Sequence, residues 1–463
     1  MEAADQTESV AGPANILPAL REVRPRSGPY RWATRPRSWI ARPSASLPEA
    51  GLAIIILLFF PLLVLVPRGI AALASVAGLC AAGLVFTAGP RRPSVAVALA
   101  TLLLASLLFW GALSASWSLH PGRSLAVAAR LVGLFAAGLA LTAAALVVAA
   151  PRRLTWFLVA GMTLGISIAM ADLATGGVLG SFFTDRPYRP TRLNQASISF
   201  AILLLPTGAV LVAIGQTLLA LLLATAAAAT VCVLVGTAAK IVLVTGVLIG
   251  VLLYRSRARV AQAAAVVSIM AIIAAPLTFA RLERVPGLGK AADVLKVSAG
   301  HRLLIWSFAG DRIAERPLLG WGLDSSRNIP GGQDPIRAGE SWLPLHPHNA
   351  ALQMWLELGV PGAVLFALLT AFLWHRLASA EWPPLFAAAA GGSLTIAFVA
   401  CFATYGIWQE WWLSVLWLSL FLVLVMARAA SAGRGADLQG EQREPDEDQH
   451  DNREHILDQP RKA

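Results

Sequence analysis

The chain has 463 residues, of which 57% are hydrophobic and only 14% charged, and its mean hydropathy is +0.66. A soluble protein carries about 25% charged residues, and a water-soluble fold of this size lacks the interior positions to hide so much apolar surface, so a cytosolic enzyme is excluded. The net charge of +11 is what the cytoplasmic loops of a polytopic membrane protein collect, and nucleic acid is not expected as a partner.

Residues 1–48 are rich in Pro, Ser and Arg and include Arg21, Arg24, Arg26, Arg31, Arg35, Arg37 and Arg42. No apolar run precedes residue 51, so the segment reads as a disordered basic tail held in the cytoplasm, not as a cleavable signal peptide. A membrane-crossing helix needs roughly 17–25 mostly apolar residues. Nine candidate runs lie within 49–280, near 51–66, 69–89, 95–116, 125–150, 154–173, 195–214, 217–236, 240–254 and 260–279. Three more lie within 359–428, near 359–374, 384–405 and 412–427. The expected fold is therefore an all-α polytopic membrane protein of about twelve spans.

Sidedness tests that count. With the N-terminus inside, the cytoplasmic loops carry Arg91-Arg92, Arg152-Arg153, Arg255-Ser256-Arg257-Ala258-Arg259 and His375-Arg376, as the positive-inside rule requires. Both termini then fall in the cytoplasm, and the tail 429–463, acidic from Glu441 to Asp458, reads as disordered. Two outward segments exceed a simple turn. One spans 174–194 and holds Arg186, Arg189 and Arg192; the other, about 281–345, is the longest connection. Loops longer than about 15 residues are functional or disordered, and Trp, Leu and Ile at helical spacing point to a folded, partly helical loop here. No internal repeat is visible.

Cys80, Cys232 and Cys401 lie far apart in apolar runs, with neither metal-ligand spacing nor a disulfide framework. No zinc pattern, P-loop or external acidic pair occurs, so no cofactor or metal is expected. Polar candidates gather in the outward segments. His346 and His348 sit in His346-Pro347-His348-Asn349, ahead of an apolar run through Gln353, Glu357 and Gly359. Asn349 is a suitable N-cap for a helix over 350–358, with Gly359 and Pro361 as its stop. A histidine against a helix N-terminus is kept neutral, as a general base must be; an interfacial histidine that merely caps a helix has the same spacing.

Arg302 opens the amphipathic stretch Leu303 to Ala309, where a guanidinium and free backbone N–H groups can bind one anion. Outward arginines are equally compatible with snorkelling to lipid phosphates, but a diphosphate ligand explains them as well, because the guanidinium fork matches phosphate oxygens. Lys240, at the start of the eighth run, is an ionisable residue at membrane depth and also close enough to the interface to snorkel.

His348-Asn349, nine residues, Gly359, two residues and Gly362 resemble the signature of the bacterial O-antigen ligase and O-antigen polymerase-like superfamily. The stretches His301 to Trp306, Glu315 to Leu323, Ser326-Arg327 and Pro330 to Gly332 resemble its large periplasmic loop, which here would run over 281–358. The likeness is sharpest over 295–366. It implies an inner-membrane glycosyltransferase, metal-independent and inverting, that moves a glycan from undecaprenyl diphosphate to an acceptor hydroxyl on the periplasmic face. The acceptor would be lipid A–core for a ligase and another lipid-linked repeat for a polymerase. By the same likeness His348 is the catalytic base and Arg302 binds the donor diphosphate, with Arg192 or Arg189 as the second arginine. Asn349, His346, Arg327, Glu357 and Lys240 are supporting residues. Where relatives often carry an arginine after Leu-Asn, this chain reads Leu193-Asn194-Gln195. A twelve-span transporter is the rival reading; it would show two related halves meeting at the midplane, whereas these polar residues gather at one external face.

Overall fold

A computed structural model describes residues 46–89, 93–184, 188–337 and 339–441. The basic N-terminal tail up to residue 45, Arg91, Arg92, Arg186 and the acidic tail from 442 lie outside the described residues. The helices are α1 (Leu47–Leu65), α2 (Ile70–Thr87), α3 (Val95–Leu113), α4 (Pro121–Val147), α5 (Pro151–Ala174), the short α6 (Val178–Ser181) and α7 (Asn194–Ala213). They continue as α8 (Thr217–Val233), α9 (Thr237–Ile273), α10 (Leu288–Leu295), α11 (Val297–Glu315), α12 (Ala350–Ala378), α13 (Pro384–Ala403) and α14 (Glu410–Glu441). A two-stranded antiparallel ribbon, β1 (Pro335–Arg337) and β2 (Glu340–Ser341), is the only sheet among the described residues.

Every apolar run read from the sequence falls on a helix, and the protein is an all-α multi-pass membrane protein. Ten helices among the described residues are long and apolar enough to cross a membrane, and the seventh run forms the shorter α8. The difference from twelve has a local cause. The eighth and ninth runs are the two halves of the 37-residue α9, broken only where Ser256 leaves helical geometry (φ −152°, ψ 71°). The basic loop read at 255–259 is therefore a one-residue kink.

The bundle has a centre and a rim. In α7, 78% of the most apolar stretch is buried, against 17% in α3, so α7 is central and α3 presents its surface outward. Close approach rests on small residues, as in other membrane bundles. A Cβ on Gly246 of α9 would stand 2.8 Å from the Gly392 carbonyl oxygen of α13, and one on Gly392 would stand 2.6 Å from the Gly246 oxygen. At the α4–α5 turn, Glu49 accepts from the Ala150 N–H at 3.0 Å, and Arg428 donates to the Ala145 and Val148 carbonyls at 2.9 and 2.8 Å. These contacts tie α1 and α14 to that turn.

Candidate active site

The connections read as outward-facing meet at one end of the bundle around a cavity of about 1160 Å³. Its lining includes Arg68 from the α1–α2 turn, Arg189 and Arg192 from the segment before α7, Lys296 ahead of α11, and Arg302 on α11. Ile198, Ile241, Val242 and Val399 supply an apolar side. Glu410 is the single carboxylate in the lining, and Arg130 engages it at 2.8 Å. Five cations thus face one already-paired carboxylate. Among the described residues Arg302 has no ion pair; burial lowers its pKa, partly offset by Tyr405. Arg192 is held more firmly, donating to the Leu65 carbonyl at 3.0 Å. Its guanidinium lies so close to Gly180 that a Cβ there would come within 2.2 Å of it.

His346 and His348 line the same cavity. His348 has a left-handed backbone, φ 55°, a conformation that costs a non-glycine residue about 1–3 kcal/mol. Its N–H donates to His346 Nδ1 at 3.1 Å, and its own Nδ1 lies 2.5 Å from the Thr404 carbonyl oxygen. A carbonyl can only accept, so Nδ1 carries the proton and Nε2 is left as the basic nitrogen. Burial pushes the His348 pKa down to about 4, with Arg302 and His301 adding to the fall and the Thr404 bond opposing it. His346 falls further, to about 3, through burial and then the charges of His348, Arg327 and Arg302. Burial is the largest cause of this fall, and His348 immediately precedes Asn349, the N-cap of α12.

The motif around these histidines is built by three devices. Asn349 is the N-cap of α12, its Oδ1 accepting from Leu352 N–H at 3.1 Å, as its position suggested. The Trp306 indole of α11 donates to the Pro347 carbonyl at 2.8 Å, fastening the histidine loop from the other side. Gly359 then breaks α12 at φ 62°, ψ −155°, and the helix resumes to Ala378 instead of stopping. Freed carbonyls at the break are taken up elsewhere. Trp321 N–H reaches Leu356 O at 2.9 Å, Gly322 N–H reaches Glu357 O at 2.8 Å, and the Trp110 indole reaches Leu358 O at 2.9 Å. The Glu315-to-Leu323 stretch and the glycines of the motif are thus two sides of one joint.

Glu357 is fully buried beneath this joint. It accepts from Ser326 Oγ, Asp324 N–H at 2.6 Å, Gln353 Nε2 at 3.1 Å and the Trp408 indole at 2.7 Å. It does not line the cavity, and neither does Lys240, although Gly236 to Ala239 just before it do. Arg327 belongs to a second, smaller cavity. Arg302 sits in the second turn of α11, because the helix starts at Val297, and Ser298 and Ala299 of the first turn line the same cavity. Arg68, in the three-residue Pro67–Gly69 turn between the first two spans, and Lys296, Tyr405 and Gln409 line the site without standing out in the sequence.

Residues 217–367 match the model of the O-antigen ligase family, which bears out the resemblance drawn from the sequence. A Rickettsia conorii protein named "Putative polysaccharide ligase" is 38% identical over 134 residues, 28% of this chain and 32% of its own length. Rickettsia felis and Rickettsia prowazekii proteins of the same description are 36% and 37% identical over 134 residues, each covering 28% of this chain and 33% of the relative. The chain spans about a third of the length of the curated relatives it matches. No solved structure matches it.

Proposed function

We propose that this O-antigen ligase-like chain is an integral-membrane glycosyltransferase of the bacterial inner membrane. It moves a glycan from undecaprenyl diphosphate to an acceptor hydroxyl at the periplasmic face, with lipid A–core as the acceptor. The observation that carries the reading is one cavity holding five cations beside a buried neutral histidine with a fixed tautomer. His348 Nε2 takes the proton of the acceptor hydroxyl as its oxygen attacks the anomeric carbon. The bond from that carbon to the diphosphate oxygen breaks, and the electron pair leaves on the diphosphate. Diphosphate is a good leaving group, so the protein's task is to stabilise the departing charge with preorganised donors, here Arg302 with Arg192 and Arg189. Attack from the face opposite the leaving group inverts the anomeric centre.

Arg302→Glu should abolish transfer while the protein still inserts, and Arg302→Lys should also transfer poorly, because an ammonium cannot reproduce the fork. Transfer by Arg302→Glu near the wild-type rate would remove this residue from donor binding. A repeat-unit polymerase of the same superfamily would use the same groups on a lipid-linked acceptor. Deletion in the native host separates the two: a ligase leaves lipid-linked polymer with no lipopolysaccharide ladder, a polymerase leaves single capped repeats.

A further inference from the structure

A second cavity of about 210 Å³ adjoins the first, with His346, Gln409 and Glu410 lining both. It is smaller than the roughly 300–1,000 Å³ of ordinary ligand pockets, so it suits one sugar ring or less. Its walls carry three guanidinium groups, Arg123, Arg130 and Arg327, against two carboxylates, Asp324 and Glu410. Pairing leaves one arginine short. Arg123 holds Asp324 Oδ2 through Nε and Nη2, both at 2.7 Å, and Arg130 holds Glu410 at 2.8 Å. Arg327 comes only within 3.7 Å of Asp324, beyond hydrogen-bond length. Its side chain is 36% exposed, and a guanidinium has donors in excess of this one loose partner, so its outer nitrogens are the ones a bound group would meet.

Two further observations mark this cavity as a built site. His348 and Asp324 are the two non-glycine residues with positive φ among the described residues, and one lines each cavity. Strained backbone of this kind persists where the surroundings hold it in place; for Asp324 the clamp is its N–H bond to Glu357 at 2.6 Å. The His346 and His348 rings lie 4.2 Å apart, so a ring in the small cavity is one histidine away from the proposed base. The donor-side residues Arg302, Arg192 and Arg189 line the large cavity alone.

We infer that the small cavity is an acceptor subsite for a sugar bearing one negative charge, a uronic acid or a sugar phosphate, with Arg327 as the anion-binding residue and the neighbouring sugar hydroxyl presented to His348. The inference rests on the transferase reading for the word acceptor, but not for the ligand's chemistry.

Full-length protein in nanodiscs, with no donor present, is titrated with methyl glucuronide, methyl glucoside 6-phosphate and methyl glucoside, using ligand-observed NMR. Wild type should bind at least one charged glycoside about tenfold or more tighter than the neutral one, roughly what one charge-assisted contact supplies. The better of the two charged probes identifies the source of the charge. Arg327→Gln should erase the preference, Arg327→Lys should retain part of it, and Arg302→Gln should leave it intact. Equal binding of charged and neutral probes, including none by either, overturns the inference, as does a preference that survives in Arg327→Gln. A preference in protein that never transfers a glycan upholds the subsite and sinks the transferase reading; transfer without any preference does the reverse.

Discussion

At the residue scale the proposed chemistry rests on His348, because one carbonyl fixes its proton and burial keeps it neutral. His348→Ala should lower turnover by about 10²-fold or more, the usual scale for losing a general base, while donor binding survives on the arginines. Equal rates for the two proteins, measured with lipid-linked donor, would exclude the residue. A large loss in His346→Ala alone would move the role to that neighbour. The pH profile is a second check. In the proposed role the active form is the neutral imidazole, and its pKa lies below the ordinary 6.5 at about 4. Activity should therefore hold as pH falls from 7 to 5 and decline only near 4; an acid limb centred at 6.5 would contradict the desolvated site. Stability follows the same sign. Both histidines bind protons more readily unfolded, so their contribution is present above about 6.5 and is lost as pH falls towards about 4 for His348 and about 3 for His346.

Among elements, the break in α12 carries the most structural information. Gly359 combines a left-handed φ with a position where a Cβ would lie 2.3 Å from the Leu318 carbonyl oxygen. Gly359→Ala should cost at least about 2 kcal/mol, from the backbone conformation alone, and shift thermal unfolding in detergent downward; an unchanged midpoint would refute the joint. The sequence reads this glycine as a stop, since nothing local indicates that Trp321 and Gly322 will supply donors, and Pro317 a carbonyl acceptor for Val360 N–H, to carry the chain past it. Likewise Arg255-Ser256-Arg257 read as a loop, because helix continuity there depends on one residue's dihedrals and not on hydropathy. His348, Asn349, Arg302 and the arginines before α7 were legible because polar groups stand out against an apolar chain. Arg68 and Lys296 were not: in a short turn or beside an amphipathic helix a lone cation looks like a snorkelling one. The four-donor cage of Glu357 needed tertiary structure, because its partners come from three separate segments.

For the whole molecule, the alternation of short loops makes a prediction of its own. If the cavity end is periplasmic, reporter fusions at Ser256 and Gln333 should report opposite compartments, cytoplasm and periplasm; the same compartment for both would break the topology. The convergence of the outward connections on one cavity agrees with that alternation, for each contributing turn is separated from the next by an even number of crossings when the two halves of α9 are counted apart. The cation-lined cavity and His348 are proposed to transfer a glycan together from a polyprenyl diphosphate. The most direct measurement is release of undecaprenyl diphosphate by the purified protein, given lipid-linked glycan and lipid A–core. Wild type should show release matched one-for-one by glycosylated acceptor, and Arg302→Glu neither product above background. Acceptor glycosylated without undecaprenyl diphosphate release, or equal release by the variant, would contradict the proposed transfer.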